Sequence, residues 1–378
     1  MIIHPRTILP DTSMLNGLAD DLAHGDPKRR RRAERFLAAS VERGWVFVIG
    51  FEHLIEICQH ANDNVVMRRI QLLDKFPSVA VLSPVRVESP VGGIVDVLTR
   101  EVRAAHFRGC KSLLAIRDRV REEVFRWTEG PEIYAFAHEA MPLISAIARS
   151  QIQQNRMIAS MSRFSPIGAR TARIPKDEPM PVRSPSEIRR YLRELGDRLK
   201  WSLSAEGVPG IEEIEEFAGA FVSDVASDFA RALELGGVDI GTICEATGLD
   251  RELVQPGMSV EDIGYVAGWN HRLKVVSKNL QLPNMLTASD VAPDLMPTQR
   301  VDRLINRIRK RAARRAEGGD LMDDHLLSLG CYAEVAVVDK RTKEWCRQAK
   351  QADPQLGGVL PKIVKVPRYA ELLNALSA

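Results

Sequence analysis

The chain of 378 residues is 45% hydrophobic and 27% charged, a composition typical of a globular protein that buries a large core. No apolar run reaches the roughly 18 residues of a membrane-spanning helix, so we expect no membrane partner. The N-terminal residues lack the order of a signal peptide, and the five cysteines contain no Cys-x-x-Cys pair. These features argue against a disulfide framework or a structural zinc site, and we expect a cytoplasmic protein.

The net charge of +3 is unevenly distributed along the chain. Residues 28–32 form one basic block, and residues 307–315 form another. Such blocks either follow the phosphates of a nucleic acid or form a solvated helix face.

The N-terminal part of the chain alternates strands with helices. Strands are predicted over residues 6–9, 45–49 and 78–82, with helices after the first two. A further helix is predicted to begin at Asp26-Pro27, where Asp is a capping residue and Pro suits the first turn. This order predicts an α/β domain with a parallel sheet.

From about residue 95 to 318 the patterns are helical, including amphipathic stretches over 95–108 and 111–127. Ser184 and Glu187 have the spacing of a capping box. The strand pattern returns over 335–338 and 360–366, followed by a closing helix. We therefore predict one discontinuous α/β domain, formed by residues 1–95 and 318–378, and an all-α insertion over residues 96–317.

Several acidic residues of this domain lie just after a predicted strand or in a predicted helix near its start. Asp11 follows the first strand, Glu56 lies in the helix after the second, and Asp339 follows a late strand. Asp320 and Asp323 open a late helix on one face. Taken alone, the position of Asp11 favours a helix cap over a metal ligand. Carboxylates brought together repel each other, and a divalent cation such as Mg²⁺ removes that penalty and suits phosphodiester hydrolysis.

This arrangement resembles the PIN-domain nucleases, and in particular a bacterial PIN-like subgroup. Members carry an Asp at the end of the first strand followed by Thr, Ser or Asn, which Asp11-Thr12-Ser13 matches, and a Glu in the position of Glu56. They also carry an Asp that opens a late helix before an Asp at a strand end. The segment Gly-Asp-Leu-Met-Asp-Asp-His-Leu over 319–326, with Tyr-Ala-Glu-Val-Ala-Val-Val-Asp-Lys-Arg-Thr over 332–342, is its most specific part.

The chain departs from the family in three respects. Pro10 shortens the first strand, and Val337 stands where the family often has Thr or Ser. The insertion is far larger than in the small toxin nucleases of the family, so toxin behaviour does not carry over.

The resemblance implies a PIN-like three-layer α/β fold with a short parallel sheet and a large all-α insertion. It implies an endoribonuclease that depends on Mg²⁺ or Mn²⁺. The residues expected to hold the metal and act in catalysis are Asp11, Glu56, Asp320, Asp323 and Asp339, with Asp324 ranked below them. The residues expected to contact the substrate are Thr12, Ser13, Lys340 and Arg341.

Several alternatives stay open at this point. The substrate is RNA, another single-stranded nucleic acid, or DNA. Lys340 and Arg341 are also interpretable as solvated loop charges. The insertion is expected to shape substrate access or to bind a second copy or another protein. The main alternative function is a catalytically inactive PIN-like module that acts in nucleic-acid binding or protein interaction, which predicts RNA affinity with steep salt dependence and no cleavage.

Overall fold

The computed structural model describes residues 5–86, 89–162, 184–205, 214–220, 222–223, 226–227, 244, 249–254, 257–311 and 320–377. These residues divide into two compact units. The first unit is formed by the described residues within Met1–Gln151, Lys278–Leu282 and Val291–Ala378. The second is formed by those within Ile152–Ser277 and Pro283–Asp290.

A six-stranded sheet organises the first unit. Its strands are β1 (Arg6–Leu9), β2 (Trp45–Ile49), β3 (Val79–Leu82), β4 (Phe125–Thr128), β5 (Val335–Val337) and β6 (Lys362–Val364). Their order across the sheet is β4-β3-β2-β1-β5-β6. All neighbouring strands are parallel except β3 and β4, which pair antiparallel. The α/β class predicted from the sequence is therefore confirmed.

Both units contain helices. They are α1 (Thr12–Leu22), α2 (Pro27–Glu42), α3 (Phe51–Cys58), α4 (Asp63–Gln71), α5 (Ile94–Val102), α6 (Leu113–Arg121), α7 (Gly130–Glu139), α8 (Met141–Ser162), α9 (Pro185–Ala205), α10 (Val260–Asn279), α11 (Pro297–Arg311), α12 (Asp320–Leu329), α13 (Lys340–Ala352) and α14 (Leu372–Ser377). No described helix combines the length and the apolar character needed to cross a lipid bilayer.

Both faces of the central strands are covered. All five residues of β2 and all four of β3 are buried, as expected for strands between two helical layers. On one face, Ile8, Phe47 and Val79 belong to a core cluster that includes apolar residues of α1, α2, α3, α4 and α7. The intervening strand residues, such as Val48 and Ala336, are also buried, so the opposite face is covered as well. Because ligands of open α/β sheets bind outside the carboxyl ends of the strands, this edge is where a site is expected.

The five predicted strands are confirmed, whereas the prediction that residues 111–127 are helical is wrong at its end. Helix α6 stops at Arg121, and Phe125–Thr128 forms β4 against β3. The strand was missed because it is short and lies at the sheet edge, where only its aromatic residues and Thr128 favour a strand. The first unit accordingly continues past residue 95 to Gln151.

The described residues of the second unit include helix α9 and most of α10. The predicted capping box at the start of α9 is confirmed. The backbone N–H of Ser184 donates to Glu187 Oε2 at 3.0 Å, and the backbone N–H of Glu187 donates to Ser184 Oγ at 3.4 Å. Part of the region from about residue 95 to 318, for which the sequence patterns predict helices, lies outside the described residues. The predicted role of the insertion over residues 96–317 in substrate access, dimerisation or partner binding stays a prediction.

Candidate functional site

The direction in which strands are added to the sheet reverses between β1 and β5. From β1 the chain adds β2 and β3 on one side, and it later adds β5 and β6 on the other. Since β1 and β5 are parallel, with Leu9 opposite Ala336, their carboxyl ends meet at the same edge. Ligands of open α/β sheets bind outside the carboxyl ends of the strands at such a reversal. Asp11 and Asp339 each lie two residues beyond the end of one of these strands.

Asp11 and Asp339 line the same open cleft, which has a volume of about 720 Å³. They also line a smaller cavity of about 260 Å³, together with Leu326 and Leu327 of α12. Two of the predicted site carboxylates, from opposite ends of the sequence, are therefore brought together by the fold.

Each of these two carboxylates caps a helix. Asp11 Oδ1 accepts the backbone N–H of Ser13 at 2.9 Å, and Asp339 Oδ1 accepts that of Thr342 at 2.6 Å. The capping interpretation of Asp11 is thus correct, and it does not exclude a ligand. A cap needs one carboxylate oxygen, whereas an ionised carboxylate offers about four lone-pair sites. The caps fix both side chains at the edge of the cleft.

The electrostatic surroundings of Asp339 favour its ionised form. Burial raises the pKa of Asp339, but hydrogen bonds from Thr342 and the positive charge of Arg341 lower it to below the ordinary value. Arg341 Nε lies 3.4 Å from Asp339 Oδ2, and the Arg341 guanidinium lies 5.7 Å from the ring centre of Trp345. Asp339 therefore carries a negative charge at neutral pH, with Arg341 held beside it.

Glu56 is connected to the first cap through Thr12. The Thr12 hydroxyl donates a hydrogen bond to Glu56 Oε2, and Thr12 itself is buried. This bond joins α3 to the first turn of α1, one residue beyond Asp11. Among the predicted substrate contacts, Thr12 uses its hydroxyl to orient Glu56, whereas Ser13 and Lys340 line the open cleft.

Helix α12 begins at Asp320, the residue at which the sequence predicts the late helix to open. The side chains of residues 320–324 lie outside the described part of the structure. The assignments of Asp320 and Asp323 as ligands, and of Asp324 as the lower-ranked acid, therefore stay predictions. Leu326 and Leu327, in the middle of this helix, reach the smaller cavity beside Asp11 and Asp339.

The donor atoms at the cleft are suited in kind to a hard cation. Among the side chains that the structure describes, no group of three or more His, Cys, Asp or Glu residues is arranged to hold a metal ion. Mg²⁺, however, commonly binds through one or two carboxylates and keeps several water ligands. The Asp11 and Asp339 carboxylates fit that mode, and Mn²⁺ takes the same oxygen donors.

A buried histidine that the sequence patterns do not identify positions the Asp11 segment. The backbone N–H of Gly50 donates to His53 Nδ1 at 3.0 Å, and His53 Nε2 lies 3.0 Å from the carbonyl oxygen of Pro10. Because the Gly50 N–H can only donate, Nδ1 accepts and Nε2 carries the proton donated to Pro10. His53 therefore ties the end of β2 to the residue before Asp11, and burial lowers its pKa to about 4.

Replacing His53 by alanine is expected to destabilise the protein by about 2–4 kcal/mol, since it opens a cavity and leaves two buried backbone groups without partners. The pKa of His53 is lowered from 6.5 to about 4, so its contribution is complete above pH 6.5 and is lost as the pH falls towards about 4. Urea unfolding across this range should show the gap between wild type and His53→Ala shrinking on acidification. His60→Ala, at an exposed site nearby, is the control, and an equal loss of stability in both variants would contradict the role of His53.

The open cleft also has a basic wall. Its basic lining residues are Arg29, Arg32, Lys340, Lys365 and Arg368. Arg29 and Arg32 contact Asp21, a buried carboxylate that also lines the cleft. The cleft thus places the Asp11 and Asp339 carboxylates beside several cationic side chains, a combination that suits both a hard cation and a polyanionic ligand in kind.

Comparisons with protein-family models, with curated proteins and with solved structures find no match to this chain.

Proposed function

We propose that this chain is a metal-dependent endonuclease with a PIN-like fold, which hydrolyses phosphodiester bonds in RNA. The observation that carries the proposal is the meeting of Asp11 and Asp339 in one cleft at the carboxyl ends of β1 and β5. The resemblance of the Asp11-Thr12-Ser13 and 319–342 segments to PIN-domain nucleases supports the same function. The basic wall of the cleft supports a polyanionic substrate.

In this proposal Asp11 and Asp339 bind Mg²⁺ or Mn²⁺, with Glu56, Asp320 and Asp323 supplying further oxygen donors directly or through water. Held by these residues, a divalent cation would supply activation of a water molecule and compensation for the charge that develops on the phosphate. Thr12 orients Glu56 by its hydrogen bond. Lys340 and the other cationic side chains of the cleft hold the phosphate groups of the strand.

The test is a cleavage assay with end-labelled single-stranded RNA and with DNA of the same sequence. We expect internal cleavage of the RNA with Mg²⁺ or Mn²⁺, at a rate at least about 100-fold above that in EDTA, because a catalytic metal contributes several kcal/mol to transition-state stabilisation. Cleavage of the DNA but not of the RNA would show that the substrate is DNA. Cleavage that persists undiminished in EDTA would contradict metal dependence.

The second candidate function is an inactive PIN-like module that binds nucleic acid without cutting it. It is favoured by the structural roles of Asp11 and Asp339, since both carboxylates cap helices and Arg341 lies beside Asp339. It predicts RNA binding that weakens steeply with salt, and no cleavage with either metal. The same assay, combined with a binding measurement, separates the two functions.

A further inference from the structure

Asp21 organises part of the basic wall. Its side chain is only 5% exposed, yet it accepts hydrogen bonds from Arg29 Nε, Arg32 Nη2 and the Tyr369 hydroxyl, each at 2.6 Å. Burial raises the pKa of Asp21, but the hydrogen bonds from Tyr369, Arg32 and Arg29 outweigh it and lower the pKa to about 2. Asp21 is therefore ionised at neutral pH and holds two guanidinium groups in fixed positions.

Both arginines keep donors for a second partner. A guanidinium has five N–H donors in a planar fork, and the bonds to Asp21 use only some of them. The Arg29 and Arg32 side chains are each 41% exposed, and both line the cleft that contains Asp11 and Asp339. A fixed, partly exposed guanidinium is well suited to a phosphate group, because it donates two parallel hydrogen bonds and loses little freedom on binding.

The structure divides the basic block at residues 28–32 into two faces. Arg29 and Arg32 are three positions apart on α2 and face the cleft, as i and i+3 residues of a helix share a face. Lys28, Arg30 and Arg31 are exposed and do not line the cleft. The interpretation as a solvated helix face therefore fits Lys28, Arg30 and Arg31, and the interpretation as a phosphate-binding face remains for Arg29 and Arg32.

Two further cations extend this wall beyond the arginine pair. Lys365 and Arg368 are exposed and line the same cleft. Within the described residues neither forms an ion pair with an acidic side chain. The cationic side chains therefore continue from the arginine pair along the segment after β6, which suits a chain of phosphates more than a single anion.

We propose that Arg29 and Arg32, held by Asp21 and Tyr369, form a phosphate-binding subsite for the substrate strand next to the carboxylate pair. It binds the non-bridging oxygens of a phosphodiester that flanks the one positioned at Asp11 and Asp339. The subsite rests on the proposed nuclease function for its role in cleavage, but its affinity for phosphates is measurable without catalysis. Because phosphates carry no base information, it acts equally on all sequences.

The test is the salt dependence of binding to fluorescently labelled single-stranded RNA in EDTA, where no metal-dependent cleavage occurs. Each lost phosphate contact reduces the steepness of log K against log salt concentration by about 0.7 for a single strand, so Arg29→Gln/Arg32→Gln, which removes the subsite for one phosphate, should reduce it by about 0.7. If the variant and wild type bind equally at about 1 M salt, the variant should bind about 5-fold more weakly than wild type at about 0.1 M salt. Single-stranded DNA of the same sequence should show the same change of slope.

The matched control is Arg30→Gln/Arg31→Gln, which removes the same charge from the exposed face of the same helix. It should leave the slope within about 0.3 of wild type, since these residues do not line the cleft. Equal slopes in the two double variants would overturn the subsite.

A third variant distinguishes loss of the subsite from a loss of binding that is caused by misfolding. Removing both arginines leaves Asp21 buried with Tyr369 alone, which is destabilising. Asp21→Asn/Arg29→Gln/Arg32→Gln removes the buried charge as well, and its folding is checked by circular dichroism. A reduced salt dependence of RNA binding in this variant supports the subsite, and a salt dependence equal to that of wild type overturns it. If the salt dependence of RNA binding falls in the arginine variants but the wild type cleaves no RNA, the subsite is retained and the nuclease function is rejected. If the wild type cleaves RNA but the salt dependence is unchanged in the variants, the nuclease function is retained and the subsite is rejected.

Discussion

Replacing Asp339 or Asp11 by asparagine is expected to abolish metal-dependent RNA cleavage. Each substitution removes one of the two carboxylates that are proposed to hold the metal, both of which line the cleft. Because the metal contributes several kcal/mol to transition-state stabilisation and 1.36 kcal/mol is a factor of ten in rate, we expect a loss of at least about 1000-fold. The measurement is the initial cleavage rate at saturating Mn²⁺, with Mn²⁺ affinity followed in parallel by calorimetry.

Asparagine is the informative substitution because it separates charge from structure. Asn caps helices about as well as Asp, so the bonds to Ser13 and Thr342 are retained and the stability should change little. The chain supplies a matched control in Asp26, which caps α2 by accepting the backbone N–H of Lys28 at 2.9 Å and is exposed. Asp26→Asn should cleave at the wild-type rate. Wild-type rates in both Asp11→Asn and Asp339→Asn would refute the assignment of the site.

The parts of the fold that the sequence predicts are those determined by local pattern. Strands β2, β3 and β5 are runs of buried apolar residues between turn and helix signals, and their predicted bounds agree with the observed ones to within one residue. Strand β6 is shorter than the pattern over residues 360–366 predicts. Aspartate is favoured at the N-cap of a helix, and the N-cap of a helix that follows a strand lies close to the carboxyl end of that strand. Asp11 and Asp339 were identifiable for that reason, because a short polar residue follows each strand.

The positioning of the site depends on partners that are distant in sequence. His53 acts through the backbone groups of Gly50 and Pro10, which no side-chain pattern marks. The Asp21 cluster requires Tyr369, from the last turns of the chain, to meet α1 and α2. Neither arrangement has a sequence signal of its own, since both depend on which elements become neighbours in the sheet and its helical layers. Sequence reasoning therefore identifies donors at strand ends better than the residues that hold them in place.

The second large effect is expected at Glu101, which is fully buried on α5. Its Oε1 accepts the backbone N–H of Thr298 at 3.0 Å and the Tyr332 hydroxyl, and its Oε2 accepts the Thr298 hydroxyl at 2.7 Å. Thr298 lies in the first turn of α11, and Tyr332 ends the short turn before β5. One carboxylate thus joins three segments that are distant in sequence, and one of them leads directly into the strand that presents Asp339.

Glu101→Ala should destabilise the protein by about 3–5 kcal/mol, because three buried donors lose their acceptor at about 1–3 kcal/mol each. Tyr332→Phe removes only one donor and should cost about 1 kcal/mol. Glu139→Ala, at an exposed position on α7, should change the free energy of unfolding by less than about 0.5 kcal/mol. Urea unfolding of the three variants provides the comparison, and a Glu101→Ala value as small as that of Glu139→Ala would contradict the network.

The pH dependence of this effect has a definite sign. Burial raises the pKa of Glu101 from 4.5 to about 7, although its hydrogen bonds from Tyr332 and Thr298 act in the opposite direction. The folded state therefore binds the Glu101 proton more tightly than the unfolded state does. The stabilisation is complete below pH 4.5 and is lost as the pH rises through about 7, so the gap between wild type and Glu101→Ala should be larger at about pH 5 than at about pH 8. A gap that widens with pH would mean that Glu101 is bound in the fold as a stabilised anion, and the sign of this prediction would be wrong.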